Sequence, residues 1–137
     1  MNRIYDLEER TYLFAEDCRF FVKALPKSLS NIEDGRQLIR SSGSVGANYI
    51  EANEKLGDKD FVMRLKIARK EAKESEYWLR LLKDLNANYE EITEELICEA
   101  FELKSILSSI INKTSKKNDA LIFDFWDSQT PFLEFGI

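Results

Sequence analysis

Histidine is absent from the 137-residue chain, and glycine (5), cysteine (2) and proline (2) are scarce. Without histidine the chain lacks the commonest general base and metal ligand, so histidine-based triads and zinc sites with histidine ligands are excluded. The glutamates between positions 90 and 102 also lack the histidines that a di-iron bundle site uses. Carboxylate, lysine, tyrosine or cysteine chemistry stays open, but no motif points to it. We therefore expect no cofactor, no metal site and no enzymatic activity.

Long uncharged apolar runs and a targeting segment are missing as well. No such run reaches the roughly 18 residues of a membrane-spanning helix, and the first ten residues are too charged for a signal peptide. We expect a cytoplasmic protein without a membrane contact. In that compartment Cys18 and Cys98, which lie far apart and outside any CxxC motif, are expected to be reduced and buried.

The composition fits one soluble domain with an acidic surface. The chain is 44% hydrophobic and 33% charged, which provides a core and solubility, and its net charge is −5. Nucleic-acid binders usually carry a strongly basic surface, so the overall charge argues against this class. A local basic patch remains compatible with it.

Apolar residues recur at three-, four- and seven-residue spacings in four segments, which predicts four α-helices. The predicted helices cover about residues 5–25, 32–56, 59–86 and 93–113. Pro26 and Gly57 are predicted stops, Ser30 or Asn31 the N-cap of the second helix, and Asp58 that of the third. Long amphipathic helices with short loops predict an all-α, antiparallel up-down four-helix bundle over residues 1–115.

Residues 116–137 differ in character and are predicted to form an acidic, aromatic C-terminal tail. Pro131 and the interspersed acids argue against one continuous helix there. The tail either frays or folds back on the bundle, or it docks on a neighbouring subunit or another protein, because aromatic side chains are favoured interface anchors. The candidate anchors are Phe123, Phe125, Trp126 and Phe132.

The second predicted helix contains an unusual run of small residues between Arg40 and Glu51. Gly43 and Gly46 each cost about 1 kcal/mol relative to alanine inside a helix. Their presence, together with neighbouring serines, predicts that another helix approaches the backbone closely.

The same run places Arg40, Ser44, Asn48 and Glu51 on one helical face. We interpret this face as a polar network that fixes helix packing, with a binding pocket and a solvated face as the alternatives. The candidate partners on the third helix are Arg69, Glu71 and Lys73.

The third helix carries a local excess of positive charge. Its candidate nucleic-acid contacts are Lys66, Arg69, Lys70 and Lys73, which share a face and can contact phosphates. The alternative is a solvated face whose charges are partly compensated by neighbouring glutamates.

Three segments, Gln37–Glu51, Phe61–Arg69 and Glu76–Leu79, together resemble the four-helix-bundle family of 23S ribosomal RNA intervening-sequence proteins. The resemblance covers about residues 5–115. It implies an antiparallel four-helix bundle, ring-like homopentamers, a bacterial origin and a biochemical role that is generally unassigned. A related group, the accessory proteins of diversity-generating retroelements, binds nucleic acid through a basic barrel. The present chain departs from that group in its acidic balance and aromatic tail.

Two functions follow as expectations. The first is a non-enzymatic, self-associating helical bundle that serves as an interaction or scaffold module. The alternative is an accessory protein that binds structured RNA through the basic residues of the third helix.

Overall fold

The computed structural model describes residues 6–54 and 56–127, with side chains described as far as Lys117. The elements of this part of the chain are all helical, which confirms the all-α prediction. Four α-helices are connected by short loops and one 3₁₀ turn at Ala87–Tyr89. The helices are α1 (Leu7–Ala24), α2 (Leu29–Ala52), α3 (Asp58–Leu85) and α4 (Glu90–Asp127).

The helix starts differ from the predicted ones by one to three residues. Ser28 is the N-cap of α2, since its side chain accepts a hydrogen bond from the backbone N–H of Asn31 at 3.2 Å. The predicted N-cap at Ser30 or Asn31 is therefore wrong. Asp58 is the first residue of α3. Gly57 precedes it with a φ of +131°, a backbone conformation that residues other than glycine rarely adopt.

The fourth helix is much longer than predicted. It was expected to end near Lys113 but continues to Asp127, so residues 116–127 extend the helix instead of forming a separate tail. The physical reason is that α4 contains neither proline nor glycine, and isolated acids do not stop a helix. The Thr114 hydroxyl donates a hydrogen bond to the Ile110 carbonyl at 2.9 Å, so this polar side chain has a partner within the helix and does not interrupt it.

Successive helices pack side by side around one core, and paired contacts show that neighbours run in opposite directions. The start of α2 meets the end of α3, where Asn31 and Asn86 exchange two amide hydrogen bonds of 2.8 Å each. Arg69 of α3 meets Ser108 of α4 at 3.3 Å, and Lys83 further along α3 pairs with Glu94 near the start of α4. The fully buried large side chains include Phe14, Leu38, Leu65, Leu79, Leu82, Leu103 and Leu107.

Small residues of α2 allow close helix packing on two sides, as the sequence predicts. A β-carbon at Gly46 would lie 2.9 Å from Thr11 Oγ1 of α1, and one at Gly35 would lie 2.7 Å from Val22 Cγ1. Toward α3, the buried hydroxyls of Ser41 and Ser75 share a hydrogen bond of 2.8 Å. The glycines thus allow α1 to lie close to α2. Inside the core, the two serine hydroxyls form their hydrogen bond to each other.

Both cysteines are free thiols in different environments. Cys18 is fully buried, and burial is the main cause that raises its pKa to about 12. Cys98 is exposed on α4, so the expectation that both thiols are buried is wrong for Cys98. The apolar stripe of α4 passes through Leu96, Ala100 and Leu103, and position 98 falls outside it.

Candidate functional site

The predicted polar face of α2 contacts α3 at its two ends. At one end, Arg40 Nη1 lies 3.3 Å from Glu71 Oε2, and the Arg40 guanidinium also pairs with Glu74. Glu71 is only 7% exposed, so Arg40 supplies the counter-charge for a buried carboxylate. At the other end, Glu51 pairs with Arg64 across 3.4 Å.

The middle of this face bonds to its own helix. The Ser44 hydroxyl donates to the Arg40 carbonyl and the Asn48 amide donates to the Ser44 carbonyl, both at 2.9 Å. Arg40 and Glu51 therefore each form an ion pair with α3, whereas the two polar side chains between them form hydrogen bonds to the backbone of α2 itself. Of the predicted partners on the third helix, Glu71 makes this contact, whereas Arg69 turns to α4. Such an arrangement can fix the register of α2 against α3, and it brings no nucleophile next to a base.

The four predicted basic residues of α3 line one surface groove with residues of α4. This basic groove has a volume of about 650 Å³ and is lined by Lys66, Arg69, Lys70, Lys73, Lys104, Ser105 and Ser108. Arg69 Nη1 donates to Ser108 Oγ at 3.3 Å, which fixes the guanidinium across the two helices. No carboxylate is among the lining residues, so five cations and two hydroxyls face an anion that enters.

Lys104 was not a predicted member of the basic groove. Its Nζ lies 2.9 Å from Glu76 Oε1, out of line for a hydrogen bond, so the contact is an ion pair. It also lies 4.8 Å from the centre of the Phe101 ring, within the range of a cation–π contact. The other lysines of α4 begin only at Lys113, so Lys104 gives no periodic signal in the sequence, which is why sequence reasoning missed it.

The outer face of α3 forms a second basic feature, which we call the α3 stripe. Between positions 59 and 80 the exposed residues of α3 recur every three or four positions, and each is either cationic or apolar. They are Lys59, Met63, Lys66, Lys70, Lys73, Tyr77 and Arg80. Met63 and Tyr77 are 49% and 55% exposed, which is high for large apolar side chains.

A wide cleft opens between α1 and α4, where the two helices make sparse contact. Its volume is about 1020 Å³. We call it the acidic cleft, and its lining residues are Arg10, Leu13, Phe14, Asp17, Phe20, Phe21 and Ala24 from α1, with Tyr89, Ile92, Glu95, Leu96, Glu99 and Glu102. One cation and four carboxylates give the lining a net charge of −3 (1 minus 4).

Ion pairing inside the acidic cleft neutralises only part of its charge. Arg10 donates two hydrogen bonds to Glu99, at 2.7 and 2.8 Å, and one to Glu102 at 2.8 Å. These contacts raise the pKa of the Arg10 guanidinium, mainly through the Glu99 hydrogen bond. Burial raises the pKa of Asp17, and repulsion from Glu16 and Glu99 raises it further, as expected where negative charge is in excess.

Sequence reasoning also missed the acidic cleft as a site. The glutamates of α4 were weighed only as metal ligands, and Phe20 and Ile92 lie off the predicted apolar stripes. The signal in the sequence was the presence of these two large apolar residues outside the predicted stripes; in the structure Phe20 is 63% exposed and Ile92 is 41% exposed. Large apolar residues next to a buried stripe widen the apolar face beyond what a four-helix core requires.

The candidate anchors of the C-terminal segment lie at the edge of the described chain. The backbone at Phe123, Phe125 and Trp126 belongs to α4. Their side chains, and Phe132 entirely, are outside the described residues.

Within residues 6–54 and 56–117, whose side chains the structure describes, no three or more cysteine, aspartate or glutamate side chains come together in a way that can hold a metal ion. In the same part of the chain, no helix combines the length and apolar character needed to cross a membrane.

Comparison with known proteins places this bundle in a family. The family model of the 23S rRNA-intervening sequence proteins matches residues 5–109. The chain belongs to this family. A solved structure with the same fold, a protein of unknown function of the S23 ribosomal protein family from Bacteroides thetaiotaomicron VPI-5482, is 33% identical, with a TM-score of 0.71. The match covers 77% of the present chain and 95% of the Bacteroides protein. No curated protein matches the sequence.

Membership in the 23S rRNA-intervening sequence family agrees with the resemblance seen in the α2 and α3 segments. The matched region ends within α4, so the last turns of this helix lie beyond it. Since the Bacteroides relative has no assigned function, the surfaces of the present chain must supply the functional argument.

Proposed function

We propose that this 23S rRNA-intervening sequence protein is a self-associating helical bundle that serves as an interaction or scaffold module. The observation that carries the proposal is the acidic cleft, where Phe20 and Ile92 stay exposed beside the buried side chains of Phe14 and Phe21. Contiguous apolar surface of this kind usually marks a protein–protein contact. The family resemblance adds the expectation of a ring of five subunits.

Two further exposed aromatic residues support the same proposal. Tyr12 of α1 and Phe101 of α4 are 60% and 55% exposed. Aromatic side chains are enriched in the anchoring residues of interfaces because they bury a large area at a small entropic cost. A monomer would leave all of them in water.

The test is the molar mass of the full chain in solution, measured by light scattering after size exclusion over a range of micromolar concentrations. We expect a stable, discrete oligomer whose mass does not change across the range. A monomer at every concentration would refute self-association.

A second candidate function is the binding of structured RNA, and the basic groove favours it. All four cations singled out in the sequence line the same groove, where Lys104 and two serine hydroxyls join them. Each phosphate that the groove neutralises releases condensed counterions, so the binding constant falls with salt by a logarithmic slope of about −0.9 per contact with a duplex.

The test of RNA binding is fluorescence anisotropy with a structured RNA at several salt concentrations. We expect weaker binding and a shallower salt slope when Lys66, Arg69, Lys70 and Lys73 are all changed to glutamate. The matched control carries the same change at four exposed cations outside the groove, namely Lys23, Lys27, Arg36 and Lys113. Because both variants alter the net charge equally, equal loss of binding in both would rule out a role of the groove.

A further inference from the structure

The acidic cleft has the composition of a receptor for a basic, partly apolar helix. Its floor contains the buried side chains of Phe14, Phe21 and Leu96, and its rim exposes Phe20 and Ile92. The lining carries a net charge of −3. A partner that fits such a cleft needs positive charges spaced along a helix and a few apolar side chains between them.

The α3 stripe has this complementary composition. Five cations alternate with Met63 and Tyr77, and the exposed positions between 59 and 80 include no acid. The part from Lys66 to Arg80 is about 21 Å long, at 1.5 Å per residue. The α1 wall of the acidic cleft, from Arg10 to Ala24, spans the same number of residues and therefore the same length.

The two surfaces cannot meet within one chain. Both α1 and α3 pack against α2 and α4, but they share no packing contact with each other. The α3 stripe also points away from the core, since its residues are the exposed ones of α3. A contact between stripe and cleft therefore requires two molecules.

We propose that the α3 stripe of one copy packs into the acidic cleft of a second copy. The proposal rests on the proposed self-association and names its interface. The contact joins two different surfaces, so an open assembly keeps one free stripe at one end and one free cleft at the other until it closes. Such a head-to-tail contact produces a ring when the rotation between subunits closes, and a filament when it does not.

Four exposed charges of this interface can be reversed without disturbing the core. Asp17 and Glu95 are exposed at the rim of the cleft, and Lys70 and Lys73 are exposed on the stripe. Reversal of either pair places like charges opposite each other, which weakens association strongly. None of the four residues belongs to the buried core, so their substitution leaves the fold of the subunit intact.

The test compares three variants of the full chain by light scattering: the stripe reversal K70E/K73E, the cleft reversal D17K/E95K, and the fourfold variant that carries both. We expect each reversal alone to reduce the assembly to monomers at a concentration at which the unaltered chain is assembled. The fourfold variant should regain the original mass because its charges are again complementary for any number of subunits. Circular dichroism of each variant verifies the helical fold.

A control variant, R36E/K113E, reverses two exposed cations of α2 and α4 outside both surfaces. It should keep the original mass. An assembled unaltered chain whose mass survives both reversals would overturn the stripe-in-cleft contact while leaving self-association intact. A fourfold variant that stays monomeric while both reversals dissociate would overturn it as well. A monomeric unaltered chain would instead refute the proposed function itself.

Discussion

The close approach of α1 and α2 predicts opposite effects for the same substitution at two neighbouring glycines. At Gly46 a new β-carbon would lie 2.9 Å from Thr11 Oγ1 and 3.2 Å from Thr11 Cβ. Thr11 is fully buried, and its hydroxyl donates to the Glu8 carbonyl, so it has little room to move. At Gly43 the nearest atom is the end of the exposed Arg19 side chain, at 3.1 Å, which can rotate away.

The magnitudes follow from two opposing terms. Both substitutions to alanine gain about 0.8–1.0 kcal/mol in helix propensity. Overpacking at Gly46 costs about 1–3 kcal/mol. We therefore expect Gly46→Ala to lower the free energy of unfolding by up to about 2 kcal/mol, and Gly43→Ala to raise it by about 0.5–1 kcal/mol. The propensity term cancels in the difference between the two variants, which isolates the packing cost.

The assay is urea unfolding followed by circular dichroism, at one fixed protein concentration because assembly would add to the apparent stability. A double variant with Thr11→Ala removes the hydroxyl that Gly46→Ala would meet, so the two changes together should cost less than their sum. The reasoning fails if Gly46→Ala proves as stable as Gly43→Ala. In that case the helices separate at little cost, and the small residues of α2 have another purpose.

Three further predictions concern single polar groups. Arg40→Met should lower the free energy of unfolding by about 1–3 kcal/mol in urea, since the buried Glu71 carboxylate loses an ionised partner. Asn86→Ala should cost a similar amount, because it removes both amide bonds across the start of α2. In a thiol titration at pH 8 the native chain should expose one reactive group, Cys98, and the unfolded chain two, because Cys18 is buried with a pKa near 12.

The helices of the bundle could be predicted from sequence because their apolar spacing is local information. The stripe of α1, for example, repeats through Phe14, Cys18 and Phe21, and all three are buried. The end of α4 was missed because composition was given more weight than the lack of a helix breaker. The first strong helix breaker after Gly57 is Pro131, which follows the last residue of α4 in the sequence.

The charged surfaces were only half predictable for a different reason. The cations of the basic groove share one helix, so their common face follows from helical spacing alone. The acidic cleft instead combines residues of α1 and α4 that are about 80 positions apart in sequence, such as Asp17 and Glu95. The cleft exists because these two helices lie apart, and the distance between packed helices cannot be read from the sequence pattern of either one.

The two proposed functions use overlapping residues, so they compete. Lys66, Lys70 and Lys73 belong both to the basic groove and to the α3 stripe. An RNA that occupies the groove would cover the stripe and block its insertion into a neighbouring cleft. We therefore expect a structured RNA to reduce the protein assembly to smaller, RNA-bound units as its concentration rises. Analytical ultracentrifugation with separate absorbance signals for protein and RNA measures both components.

Residues that the two surfaces do not share separate the effects. Arg69 and Lys104 line only the groove, whereas Lys59 and Arg80 lie only on the stripe. The variant R69Q/K104Q should therefore weaken RNA binding and retain the assembly, and K59Q/R80Q should weaken the assembly and retain RNA binding. RNA that adds to the mass of an intact assembly would refute the competition, because the groove would then bind RNA while the stripe stays in the neighbouring cleft.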